Sequence, residues 1–137
     1  MEGRKNSDYT ILVVEDDESL LRLTTHVLEM AGYRVLANPE SETALHRSRS
    51  RPDEAIHLLL TDVRMDPHMS GARLAQRIRI DRTEMKVIYM TGFPAIDMVA
   101  KEANSGTAGL LRKPFTPTAL LEAVHKALET VPTRSGA

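Results

Sequence analysis

His57-Leu58-Leu59-Leu60-Thr61-Asp62-Val63-Arg64-Met65 is the stretch that decides the fold of this 137-residue chain. Its apolar centre is too short for a helix and stops at a carboxylate, the pattern of a strand buried on both faces with Asp62 at its carboxyl end. Three other short apolar runs also end in reactive groups. Ile11-Leu12-Val13-Val14 leads into Glu15-Asp16-Asp17, Val87-Ile88-Tyr89-Met90 into Thr91-Gly92, and Gly109-Leu110-Leu111-Arg112 into Lys113-Pro114. Ligands of an open parallel α/β sheet bind outside the carboxyl ends of its strands. Strands running parallel in one sheet would therefore gather Glu15, Asp16, Asp62, Thr91 and Lys113 on one rim.

The segments between these runs read as helices. Asp17 or Ser19 can cap a helix whose apolar positions are Leu20, Leu21, Leu23, Val27, Leu28 and Ala31, with Gly32 as its stop. A second strand is expected over Tyr33 to Ala37 and a second helix from Ser41 to Arg49, closed by Arg51-Pro52-Asp53. Ala72, Leu74, Ala75, Ile78 and Ile80 supply the apolar face of a third helix. A fourth is expected at 95–103, where large apolar residues are few, and a fifth over Thr116 to Glu129 with Thr116 or Thr118 as cap. Alternating strands and helices predict one α/β domain, a flavodoxin-like doubly wound fold with a five-stranded parallel sheet of order 2-1-3-4-5 and five helices. Its bounds are 10–130, after a leader at 1–9 and before a tail at 131–137.

Composition narrows the function. With 42% hydrophobic residues the chain can bury one core. Its 18 Lys and Arg nearly cancel 19 Asp and Glu, so bulk charge favours neither nucleic acid nor a membrane surface. The run Arg47, Arg49, Arg51 lacks interleaved aromatic residues and reads as a solvated face. Cysteine is absent, which excludes disulfides and thiolate metal sites. No apolar stretch approaches the roughly 20 residues of a membrane span, so a cytoplasmic protein with no membrane insertion is expected. The five histidines show no paired metal spacing.

The predicted rim is electrically unbalanced. Two unit charges ~4 Å apart interact by about 4 kcal/mol at an effective dielectric near 20, so clustered carboxylates repel strongly. Glu15, Asp16 and Asp62 carry three negative charges and Lys113 returns one, leaving the charge that one divalent cation would cancel. Oxygen ligands alone favour Mg²⁺ or a similar hard ion such as Mn²⁺, which binds through one or two carboxylates together with a phosphate. Such a setting suits Asp62 as a nucleophile in phosphoryl transfer, with Thr91 donating a hydrogen bond to the phosphoryl oxygens.

Val14-Glu15-Asp16-Asp17, Leu60-Thr61-Asp62-Val63, Met90-Thr91-Gly92 and Arg112-Lys113-Pro114-Phe115, in this order on successive strand ends, resemble the receiver domain of two-component response regulators. The style of the motifs is similar to receivers at the ends of hybrid sensor kinases. The resemblance implies that Asp62 accepts phosphate from a sensor histidine kinase or a histidine phosphotransfer protein, acting as a signalling phosphoacceptor rather than an enzyme on other substrates. It implies Mg²⁺ held by Asp16, Asp62 and the backbone carbonyl of Arg64, with Glu15 assisting through water. Lys113 would pair with the phosphoryl group, Thr91 would move toward it, and the Lys113–Pro114 bond would be cis. A homodimer through the 95–103 helix, the fifth strand and the last helix is the association it suggests.

Three departures stand out. Glu15 replaces the commoner Asp, Asp66 lengthens the loop after Asp62 by one residue, and Leu110 stands where relatives often carry a Tyr or Phe that swings on activation. Two competing classes remain at this stage. A phosphohydrolase of the haloacid dehalogenase type would need Asp-x-Asp at the strand end, and Asp62-Val63-Arg64 lacks it. A receiver-like scaffold would bind partners without being phosphorylated.

Overall fold

The computed structural model describes residues 5–65, 69–92 and 109–129. Five parallel strands form one sheet: β1 (Thr10–Val14), β2 (Arg34–Asn38), β3 (Leu58–Asp62), β4 (Lys86–Thr91) and β5 (Gly109–Arg112), in the order β2-β1-β3-β4-β5. Four helices are described: α1 (Glu18–Met30), α2 (Ser41–Ser50), α3 (Gly71–Asp81) and α4 (Pro117–Glu129). The expected helix at 95–103 lies outside the described residues, as do the inserted Asp66 and part of the face suggested for a homodimer. Among the described residues no helix is long and apolar enough to cross a membrane.

Alternation along each strand builds two cores. Leu12, Val14, Leu59, Val87 and Tyr89 point to one face, where Ala44 and Leu45 of α2 and Leu74, Ala75 and Ile78 of α3 cover them. Ile11, Val13, Leu58, Leu60, Ile88 and Met90 point to the other, under Leu28 of α1 and Leu120, Val124 and Ala127 of α4. Burial on both faces is the physical reason these strands read as unbroken apolar runs.

Local signals act much as the sequence suggests. Asp17 caps α1, its Oδ1 accepting from the Leu20 N–H at 3.0 Å, and Thr116 Oγ1 accepts from Ala119 N–H at the start of α4. Gly32, at φ +101°, takes the left-handed turn that ends α1. Three details differ. The second strand begins one residue later than expected, at Arg34. Leu23 is 50% and Ile80 70% exposed, because the inward stripes are set by Thr24 and Leu28 in α1 and by Leu74, Ala75 and Ile78 in α3. The second half of the expected leader is tied down: Asn6–Asp8 make a 3-10 turn, and Asn6 Nδ2 donates to Ala31 O at 2.7 Å.

The arginine after α3 forms a staple that the sequence does not reveal. Arg82 donates from Nε to Ser48 Oγ at 2.9 Å, from Nη1 to Glu54 O at 2.6 Å, and from Nη2 to Ser48 O at 3.0 Å and Arg51 O at 2.8 Å. One guanidinium thereby satisfies carbonyls at the frayed end of α2 and in the turn before β3. A lysine cannot reproduce this fork. Arg82→Lys should therefore cost about 1–3 kcal/mol in urea unfolding, the penalty for leaving such groups unpaired.

Candidate functional site

Strand register explains why distant residues converge. Val14 of β1 pairs with Thr61 of β3, so the next residues, Glu15 and Asp62, emerge side by side. Asp62 pairs with Met90 of β4, which is followed by Thr91, and Thr91 pairs with Arg112 of β5, which is followed by Lys113. Backbone bonds extend this alignment past the strands: Val63 N–H donates to Met90 O at 3.2 Å, and Lys113 N–H to Thr91 O at 2.8 Å. All five predicted rim residues lie at carboxyl strand ends.

Two of their side chains, Glu15 and Asp62, are joined by one ammonium. Lys113 Nζ donates to Glu15 Oε1 at 2.5 Å and to Asp62 Oδ2 at 3.1 Å. Glu15 is 1% exposed, and its Oε2 accepts from the Asp17 N–H at 3.0 Å. Burial pushes the Glu15 carboxyl up, against the opposing pull of the Lys113 and Asp17 hydrogen bonds. Burial also acts to lower Lys113, but its bond to Glu15 and the charges of Asp62 and Glu15 outweigh it, so the Lys113 pKa is raised and the group stays an ammonium. Both Glu15 oxygens accept from donors, Lys113 Nζ on Oε1 and the Asp17 N–H on Oε2, which offsets part of the cost of its burial.

Asp16 is exposed beside them. Carboxylate oxygens of Glu15, Asp16 and Asp62 lie within 4.8 Å of one another. Oxygens on opposite sides of one Mg²⁺ are about 4.2 Å apart, so the array suits one hard divalent cation if one carboxylate reaches it through water. The chemistry of this donor set, all carboxylate with neither sulfur nor imidazole, favours the same class of ion.

Thr91 is brought to the rim but not into this network. It is buried, and its Oγ1 donates to Gly92 O at 3.1 Å. Arg64 is exposed, two residues beyond Asp62. The Lys113–Pro114 bond is cis, as the resemblance implied. Leu110 packs half-buried against the first core cluster, opposite Tyr89 in the register.

Sequence reasoning missed how the loop after Asp62 is held. Met69 N–H donates to Glu42 Oε2 at 2.9 Å, and Met69 O accepts from Ser41 Oγ at 2.8 Å. At the end of the same loop a Cβ on Gly71 would lie 2.1 Å from Asp62 O, so α3 can start this close to the acidic strand end only with glycine. The gap of 27 or 28 residues between α2 and Met69 leaves no local pattern to read.

Comparison with known proteins agrees with the geometry. Residues 11–125 match the family model described as response regulator receiver domain. The chain is 34% identical to the response regulator receiver protein CpdR of Brucella abortus, over 86% of this chain and 95% of that protein. It is 30% identical to the transcriptional regulatory protein FixJ of Rhizobium meliloti, over 90% of this chain and 58% of FixJ. It spans about a quarter of several longer regulators that it also matches. The crystal structure of FixJ-N superimposes with a TM-score of 0.78 at 29% identity, covering 93% of this chain and 98% of that one. Fold, rim and relatives converge on one conclusion: the chain belongs to the response regulator receiver domain family of two-component signalling.

Proposed function

We propose that this receiver is a cytoplasmic phosphoacceptor, in which Asp62 takes a phosphoryl group from a phosphohistidine of a sensor histidine kinase or a histidine phosphotransfer protein. The observation that carries the reading is the Lys113 ammonium held between Glu15 and Asp62, with Asp16 alongside. One cation against three carboxylates leaves two negative charges at the place where a phosphoryl group would have to arrive. Mg²⁺, or Mn²⁺, would be held there by Asp16, Asp62 and the Arg64 backbone carbonyl, with Glu15 assisting through water. Such an ion, when bound, offsets charge on the transferring oxygens.

The chain's own residues then have separate tasks. Asp62 Oδ2 is engaged by Lys113, which leaves Oδ1 to attack phosphorus. The new P–O bond forms as the P–N bond to the donor imidazole breaks, and the leaving nitrogen keeps the electron pair and takes a proton. Lys113 follows the charge from Asp62 to a phosphoryl oxygen. Thr91 Oγ1 exchanges its acceptor on Gly92 for another phosphoryl oxygen, and that movement alters the neighbouring surface for a partner. Leu110 offers no aromatic ring to swing, so the threonine carries the switch.

Incubation with Mg²⁺ and acetyl phosphate, or with beryllofluoride, should modify the wild-type chain stoichiometrically and leave Asp62→Asn unmodified. Sustained turnover of acetyl phosphate would indicate a hydrolase, and no response to either reagent a scaffold; each outcome overturns the proposal. Charge balance gives a second expectation. Lys113→Met should lower stability by about 3 kcal/mol in urea unfolding, since it strands a buried carboxylate, and adding Glu15→Gln should recover part of the loss. Because the folded pKa of Lys113 is raised, its contribution is complete below its unfolded value of about 10.4 and is lost as the pH rises through the folded value. Alkaline destabilisation should accordingly be smaller in Lys113→Met than in the wild type.

A further inference from the structure

Helix α3 carries Arg73, Arg77 and Arg79 against a single acid, Asp81, and its first turn holds no carboxylate. Asp81 is shared with α2, its Oδ2 lying 4.0 Å from Arg49 Nε. Among the described residues, no carboxylate lies within ion-pair distance of Arg73 or Arg77. The neighbouring helix differs, since Arg47 of α2 forms a two-pronged pair with Glu54. Two guanidinium charges on α3 are thus left without a counterion from the chain itself.

Arg73, Gln76, Arg77 and Ile80 follow the spacing of three and four residues that puts side chains on one helix face, opposite the inward stripe of Leu74, Ala75 and Ile78. Ile80 is 70% exposed on that face. A groove of about 620 Å³ lies along it, lined by Ser70, Ala72 and the same four residues. At a rise of about 1.5 Å per residue, Arg77 sits about 6 Å beyond Arg73, and Ile80 about 5 Å farther on. Two cations and an apolar anchor therefore stand in line, and one end of that line meets the sheet, where Gly71 N–H donates to Val63 O at 2.9 Å.

Charge and shape select what can cover this face. A second copy docked through the same surface would set Arg73 and Arg77 against their own counterparts, and like charges so opposed repel. A small anion would leave Ile80 uncovered. Duplex nucleic acid, with a charge every ~1.7 Å, rewards long tracks of cations, whereas here two cations give way to an apolar side chain. An extended peptide would find no free backbone edge, because α3 bonds its own N–H and C=O groups internally. A helix brings its backbone bonds with it and presents side chains at matching intervals.

We propose that the face of α3 formed by Arg73, Gln76, Arg77 and Ile80 docks an acidic amphipathic helix of a partner protein. Two carboxylates one turn apart meet the arginines, and an apolar side chain covers Ile80. Antiparallel docking opposes the helix dipoles favourably, so the partner's pattern is Leu-x-x-Glu-x-x-x-Glu. The phosphoacceptor reading uses none of these side chains, and the two stand or fall separately.

The test titrates the full chain into a fluorescent, end-capped, alanine-rich peptide of about 16 residues that carries this pattern and is long enough to be helical. Anisotropy should show saturable binding, with amide NMR shifts concentrated over 70–81. Reversing both charges, Arg73→Glu with Arg77→Glu, should weaken binding about 10-fold, and Ile80→Ser about 3-fold. A peptide with both Glu replaced by Lys should recover affinity for the doubly reversed chain, a gain that misfolding cannot produce. Beryllofluoride should modify that variant as it does the wild type. No saturable binding by the wild type, or equal affinity in the reversed variant, overturns the proposal. So does tighter binding to duplex DNA that the same variant loses, or a wild-type dimer that the variant abolishes.

Discussion

A single ammonium shared by two carboxylates from different strands is the constraint on which this site depends. Lys113 lies 98 residues from Glu15 and 51 from Asp62, yet bonds to both. Without it, a carboxylate that is 1% exposed would face two others across a few ångströms, and repulsion of several kcal/mol would favour protonation or displacement. With it, one positive charge stands 2.5 Å from Glu15 and 3.1 Å from Asp62, and the three carboxylates of the rim still outnumber it by two.

The scaffold makes this arrangement reproducible through register. Pairing of Val14 with Thr61, and of Asp62 with Met90, fixes which residues leave the sheet together. A slip of one residue would turn Glu15 and Asp62 into opposite cores and bring apolar side chains to the rim. Two separate apolar clusters, one under α2 and α3 and one under α1 and α4, penalise such a slip on both faces. Stability and site geometry are therefore secured by the same contacts.

Polar staples do for the helices what register does for the strands. Arg82 closes the carboxyl end of α2 onto the turn before β3, while Ser41 and Glu42 join its amino end to the loop after Asp62. Helix α2 has few large apolar residues, Leu45 being the largest of its buried ones, so hydrogen bonds carry much of its placement. Its position is thus sensitive to single polar groups in a way that α1 and α4 are not.

The amino-acid sequence by itself determined the fold class, the strand order and the identity of the rim. Apolar runs ending in Glu15, Asp62, Thr91 and Lys113 are local patterns, and the rules that align parallel strands convert them into one edge without knowledge of any side-chain contact. Asp17 as a cap was legible for the same reason, since its partner lies three residues away. Tertiary structure alone decided what touches what across long separations. The preference of Lys113 for Glu15, the Thr91 hydroxyl resting on Gly92, the grip of Arg82 on three carbonyls and the hold of α2 on Met69 each depend on ångström-scale placement of groups brought together by packing. Hydropathy patterns record which face a residue seeks but carry no information about the distance between two polar atoms on different elements.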